Sequence, residues 1–98
     1  MQRYAAALET KSVDSVRAIY VGMTDKDAEQ LRKAYPNMRD VSVRLTVDSM
    51  EVATSAARVA ATGHWIIVDV HGGHDTLTAS NIYTLERQRG RWVITHIE

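Results

Sequence analysis

The sequence predicts an α+β domain: three N-terminal helices packed on a curved, mainly antiparallel sheet of about four strands. Three observations point there. Before Pro36-Asn37 the apolar residues recur at helical spacing. After it they alternate, and β-branched residues are enriched. The chain then closes with Asn81-Ile-Tyr-Thr-Leu-Glu-Arg, Gln88-Arg-Gly-Arg and Trp92-Val-Ile-Thr-His-Ile, two β-rich runs about a Gly-bearing turn, which is the pattern of a hairpin.

Tyr4 and Leu8 are four apart and give the first helix one short stripe. Thr10-Lys-Ser12 interrupts it. Ser12 suits the N-cap of a second helix, on which Val13, Val16 and Tyr20 share a face. Gly22 is expected to end that helix in the left-handed conformation. Thr24 reads as the next N-cap, with Asp25 and Asp27 favourably placed in the first turn. Ala28, Leu31 and Tyr35 line the third helix, and Pro36 is expected to end it by disfavouring helical geometry at Tyr35.

Val41, Val43, Leu45 and Val47 alternate with Ser42, Arg44, Thr46 and Asp48, the clearest half-buried strand in the chain. A longer strand runs from about Ala56 to Val70, His71-Gly-Gly-His74 turns, Thr76 to Gln88 returns, and Trp92 to Ile97 is the last strand. A two-residue turn at Arg89-Gly90 places Tyr83, Leu85, Trp92, Ile94 and His96 on one face.

The 98 residues fit one domain, 1–98, with a single core. The zero formal charge argues against nucleic acid or an anionic membrane as the main partner. With no cysteine, thiolate metal sites, disulfides and cysteine nucleophiles are excluded. No apolar run is long enough to span a bilayer, and Glu9 follows Met1-Gln-Arg-Tyr-Ala-Ala-Ala-Leu too closely for a signal-peptide core. The expectation is a soluble chain, cytoplasmic if complete.

Tyr4-Ala-Ala-Ala-Leu-Glu, Val13 to Tyr20, Met23-Thr24 leading to Leu31-Arg32-Lys33, Val41-Ser-Val-Arg-Leu45 and Tyr83-Thr-Leu-Glu-Arg with Gly90-Arg-Trp-Val-Ile94 follow one another over nearly the whole chain. In that order they resemble the nuclear transport factor 2-like superfamily, also called SnoaL-like or cystatin-like, and most of all its short bacterial branch. The resemblance implies a cone-shaped cavity and frequent dimerisation through the sheet, in a superfamily that holds isomerases, hydrolases, cyclases and non-enzymatic binding domains. Fold alone does not select among these. One departure is visible: Gly22-Met23 leaves no room for a hairpin between the second and third helices, so an enclosed, water-excluding site is not expected.

Five groups of residues are candidates. If Gly72-Gly73 is a two-residue turn, His64 faces Asn81, and Tyr83 faces Thr62 and His96, so His64, Asn81, Tyr83 and His96 cluster as donors, acceptors and proton carriers. This register requires a bulge near Gly63, because Ala57, Val59 and Ala61 have the opposite parity to His64. Asp69-Val-His71-Gly-Gly-His74-Asp75 holds metal-ligand residue types, but a hairpin tip is poorly preorganised, and no metal or cofactor is expected. Isomerase-type catalysis needs a carboxylate base in an apolar pocket. Asp14 and Asp69 come nearest to cavity walls, and Asp14 suits the start of a helix better. Arg87, Arg89 and Arg91 at the last turn, with Arg44 and Arg58, read as a solvated rim. Tyr4, Tyr20, Tyr35, Trp65, Tyr83 and Trp92 suit a core, a ligand cavity or an interface. Trp65 lies in an apolar run, Gly63-His-Trp-Ile-Ile-Val, too broad for a one-sided strand, which implies a covered outer face and hence a homodimer through it.

The expected function is therefore a non-catalytic module for small-ligand binding or for protein interaction and dimerisation, either alone or as a regulatory or assembly domain of a larger bacterial protein, with no catalytic residues. A small apolar ligand would meet Tyr4, Tyr20, His64, Asn81, Tyr83, Trp92 and His96. The alternative is a SnoaL-like isomerase, cyclase or hydrolase acting on an apolar substrate.

Overall fold

A computed structural model describes residues 1–98. Helices α1 (Gln2–Glu9), α2 (Val13–Ile19) and α3 (Asp25–Ala34) lead through a 3-10 turn at Tyr35–Asn37 into strands β1 (Met38–Val52), β2 (Ala56–Asp69), β3 (His74–Gln88) and β4 (Arg91–Ile97). The strands form one antiparallel meander in chain order. This is the predicted fold class, with its helices before the sheet.

The predicted caps are in place. The Ser12 hydroxyl accepts the N–H of Ser15 at 3.3 Å and the Thr24 hydroxyl accepts that of Asp27 at 3.2 Å, so each helix starts with an otherwise orphaned donor satisfied. Two helix ends differ from expectation. Tyr35 keeps helical dihedrals (φ −57°, ψ −40°) in front of Pro36, and the chain tightens into the 3-10 turn there. Its buried hydroxyl donates to the Leu8 carbonyl at 3.0 Å, a tertiary bond that outweighs the local pre-proline preference.

Gly22 is the second difference. It does not adopt a left-handed conformation; Gly72 and Gly90 do. Tyr20 already turns the chain out of α2, and it pairs with Ile94 of β4 in a single parallel bridge. The Gly22 N–H then donates to the Ile94 carbonyl at 3.4 Å, and the Thr95 carbonyl fills the space a side chain would need. Glycine is required here by close approach of two backbones. As expected, no hairpin separates α2 from α3.

The helices cover part of the inner sheet face; Val47, Met50, Val52 and Leu77 lie on the same face and stay exposed. Val16 and Ile94 are fully enclosed and pack with Tyr4, Leu8, Val13, Ala28, Val59, Ala61 and Tyr83 in one core. On β2 the inner residues are Ala57, Val59, Ala61, Gly63 and Trp65, opposite Leu85, Tyr83, Asn81, Ala79 and Leu77 on β3. Trp65 thus faces inward, not outward, and leans along the strand. A Cβ on Gly63 would stand 3.1 Å from its indole nitrogen and 3.2 Å from Leu45. The expected bulge at Gly63 does not form: β2 pairs without interruption from Ala56 to Val68. The bulges lie elsewhere, at Arg39 and Asp48 in β1 and at Thr95 in β4, each leaving one residue without an opposite partner.

No helix is long and apolar enough to cross a membrane.

Candidate functional site

Two backbone details decide which side chains meet. The first is the β2–β3 turn. Asp69 accepts the N–H groups of His71 and Gly73 through Oδ1 at 2.8 and 2.9 Å, and its own N–H donates to the Gly73 carbonyl at 2.9 Å. These bonds, with Gly72 at φ +86°, make a loop of Val70–Gly73 in place of a two-residue turn. His64 consequently stands opposite Thr78 rather than Asn81, an odd offset that puts the two on opposite faces; with no bulge at Gly63, His64 takes the outer one. There its Nδ1 lies 3.2 Å from Thr78 Oγ1.

The second detail is the Thr95 bulge. The Arg89-Gly90 turn forms as predicted, with both residues at positive φ, and Gln88 pairs with Arg91. Leu85 pairs with Ile94, and Trp92 shares that inner face. Past the bulge, however, Tyr83 pairs with Ile97, and His96 pairs with Thr84 on the outer face. There His96 is exposed and lies 3.6 Å from Glu98. The expected meeting of His64, Asn81, Tyr83 and His96 therefore does not occur. The two histidines share the outer face, but their partners Thr78 and Thr84 are roughly 20 Å apart along β3.

What the inner face does assemble is aromatic. The Tyr4 ring meets Tyr20 edge-on at 6.3 Å and Tyr83 at 6.0 Å. Asn81 is on the same face of β3 as Tyr83. These rings lie in the core between the helices and the sheet. Toward the closing hairpin a hollow of about 290 Å³ remains, walled by Tyr4, Ile19, Leu85, Trp92 and Ile94, with Arg3, Gly90 and Arg91 at its margin. Tyr4 and Trp92 were expected at such a site. Ile19 and Arg3 were not, because nothing in their spacing links the ends of α1 and α2 to a hairpin that follows some seventy residues later. No carboxylate or histidine lines the hollow.

The carboxylates considered for catalysis lie elsewhere. Asp14 borders a polar surface hollow of about 530 Å³ beside Thr10, Ser12, Arg32 and Tyr35. Asp69 is engaged in the turn. A third hollow, about 510 Å³, crosses the β1 edge next to His64, Arg44 and Ile66. At this edge a Glu9 carboxylate oxygen accepts the Val43 N–H at 3.0 Å. No group of three or more His, Asp and Glu side chains is placed to hold a metal ion.

Burial raises the pKa of all four tyrosines above the ordinary phenol value. For Tyr4 the shift is largest: loss of solvent dominates, and the neighbouring phenols Tyr83, Tyr20 and Tyr35 add to it. Burial also leads for Tyr20, with the Asp27 charge contributing, and for Tyr35. For Tyr83 burial raises the value and Asn81 partly offsets it. Below about pH 10 the phenols stay protonated whether the chain is folded or not, and their burial contributes in full. Above it the unfolded chain ionises while the folded chain holds its protons. Stability is expected to fall steadily as pH rises past about 10. Urea midpoints measured on both sides of that pH check this; a flat alkaline limb would contradict it.

No protein-family model and no curated protein sequence matches the chain. Solved structures do. A Xanthomonas campestris protein named for the calcium/calmodulin dependent protein kinase II association domain superposes with a TM-score of 0.77 at 16% identity, over 99% of this chain and 79% of the other. A Salmonella enterica nuclear transport factor 2-like superfamily protein gives 0.73 at 13%, over 99% and 82%. A hexachlorocyclohexane dehydrochlorinase from Novosphingobium barchaimii gives 0.72 at 12%, over 98% and 77%. Three helices preceding a four-stranded antiparallel meander, superposable along almost their whole length on these proteins, establish that the chain has the nuclear transport factor 2-like fold.

Proposed function

We propose that the chain is a non-catalytic binding module that takes a small apolar ligand in the hollow beside Tyr4 and Trp92 and pairs with a second copy through its outer sheet face. The observation that carries the ligand reading is the composition of that hollow: aliphatic and aromatic walls with no general base. Such a surface gains free energy from removing apolar area from water but cannot abstract a proton. The enzyme-like alternative draws on the likeness to a dehydrochlorinase. Against it, His64 and His96 face away from Tyr83 and Asn81.

The pairing reading rests on Ile66 and Ile82, which lie half-exposed on the outer face among threonine and serine hydroxyls. Thr62, for example, is bonded to Asp48 at 2.7 Å and stands 3.0 Å from Ser80. A polar face with apolar islands resembles a non-obligate interface more than a core cut in half.

Both parts are tested on the intact chain. Titration with octanol is expected to give saturable binding that Trp92→Ala abolishes; no saturable binding would remove the ligand part. Sedimentation velocity at micromolar concentration is expected to show a dimer that the double change Ile66→Glu, Ile82→Glu dissociates. A wild-type monomer would remove the pairing part.

A further inference from the structure

The hollow at the closing hairpin is apolar in its walls and cationic at its margin. Arg3 reaches it from the first turn of α1 and Arg91 from the start of β4. Neither guanidinium forms a salt bridge or a hydrogen bond within the chain, whereas Arg17 and Arg32 pair with Asp25 and Glu29 at 3.0 and 2.9 Å. No acidic residue lines the hollow to neutralise the two charges. Two unpaired cations flanking a pocket with apolar walls are complementary to an anion with an apolar body. Guanidinium groups favour planar carboxylates in particular, which they bind through paired N–H donors.

We infer that the ligand of this hollow is a small amphipathic carboxylate, an alkyl or aryl acid, whose apolar body lies against Trp92, Leu85 and Ile19 and whose carboxylate is held by Arg3 and Arg91. This rests on the reading of the hollow as a ligand site. A volume of about 290 Å³ restricts the occupant to a medium-length chain or a single ring, since it falls at the lower limit of ordinary ligand pockets. The site has two halves. The hairpin supplies Trp92 and Arg91, and the helical layer supplies Arg3 and Ile19. Its charge is therefore created only when the first and last segments of the chain meet.

Calorimetric titration of the wild-type chain with octanoate, octanol and octylammonium separates body from head group. Octanoate is expected to bind at least tenfold more tightly than octanol, and octylammonium more weakly than either. Arg3→Gln and Arg91→Gln, both at exposed positions and expected to fold, should each weaken octanoate severalfold and octanol far less. Equal binding of octanoate and octanol, with no effect of either arginine change, would overturn the carboxylate inference and leave the apolar site standing. Failure of all three to bind would remove the site itself, and the inference with it.

Discussion

Replacing Gly22 with alanine is expected to destabilise the protein by about 3 kcal/mol, the upper range for forcing an atom into a packed contact. The added Cβ would overlap the Thr95 carbonyl, which is backbone and cannot swing aside. Relief would require Tyr20–Gly22 to part from β4, giving up the Tyr20–Ile94 bridge and the Gly22 to Ile94 hydrogen bond. Alanine's lower entropy in the unfolded chain recovers only about 0.4–1 kcal/mol. Gly72→Ala is the control. It meets nothing within 4 Å but sits at φ +86°, so its cost is conformational alone, about 1 kcal/mol. Urea denaturation of the three proteins decides the matter: a Gly22→Ala midpoint no lower than that of Gly72→Ala would show that the close approach is not limiting. Because the Thr95 bulge sits at this contact, Gly22→Ala should also disturb the orientation of His96 and Ile97, visible as amide shift changes confined to β4 and its neighbours.

Tyr4→Ala is expected to cost about 3–5 kcal/mol, the range for deleting a buried aromatic side chain. The ring joins α1 to Tyr20 at the end of α2 and to Tyr83 on the sheet, so its loss leaves a void among three elements, not at one helix surface. For a domain whose total stability is about 5–15 kcal/mol this approaches the unfolding threshold. Tyr4→Phe keeps the ring and should stay within about 1 kcal/mol of wild type at neutral pH. It should also remove a large part of the alkaline loss, since the Tyr4 phenol has the largest upward shift of the four. A Tyr4→Phe protein that lost stability above about pH 10 as steeply as wild type would show that Tyr4 is not the principal alkaline group.

Legibility of the fold and of the site differed for reasons visible in particular residues. Ser12 and Thr24 cap their helices as read, because capping depends on atoms two or three positions away. Arg89-Gly90 forms its two-residue turn as read, because the strands meet there with nothing interposed. The helical and alternating patterns on either side of Pro36 survive as helices and strands. Tyr83, Leu85, Trp92 and Ile94 share the inner face as anticipated; His64 and His96 do not.

Sequence by itself thus determined the fold class, the order and type of the elements, most of the caps and the aromatic character of the core. Only the tertiary structure decided which polar side chains could meet. Facing along a strand has a period of two, so one inserted residue reverses every side chain beyond it. Here the outcome was set by β2 running through Gly63 without a bulge, by the Asp69 carboxylate holding a longer turn, and by the bulge at Thr95 where β4 meets Gly22. The cationic lining of the hollow is likewise tertiary: Arg3 of α1 and Arg91 of β4 line one hollow although they are far apart in sequence.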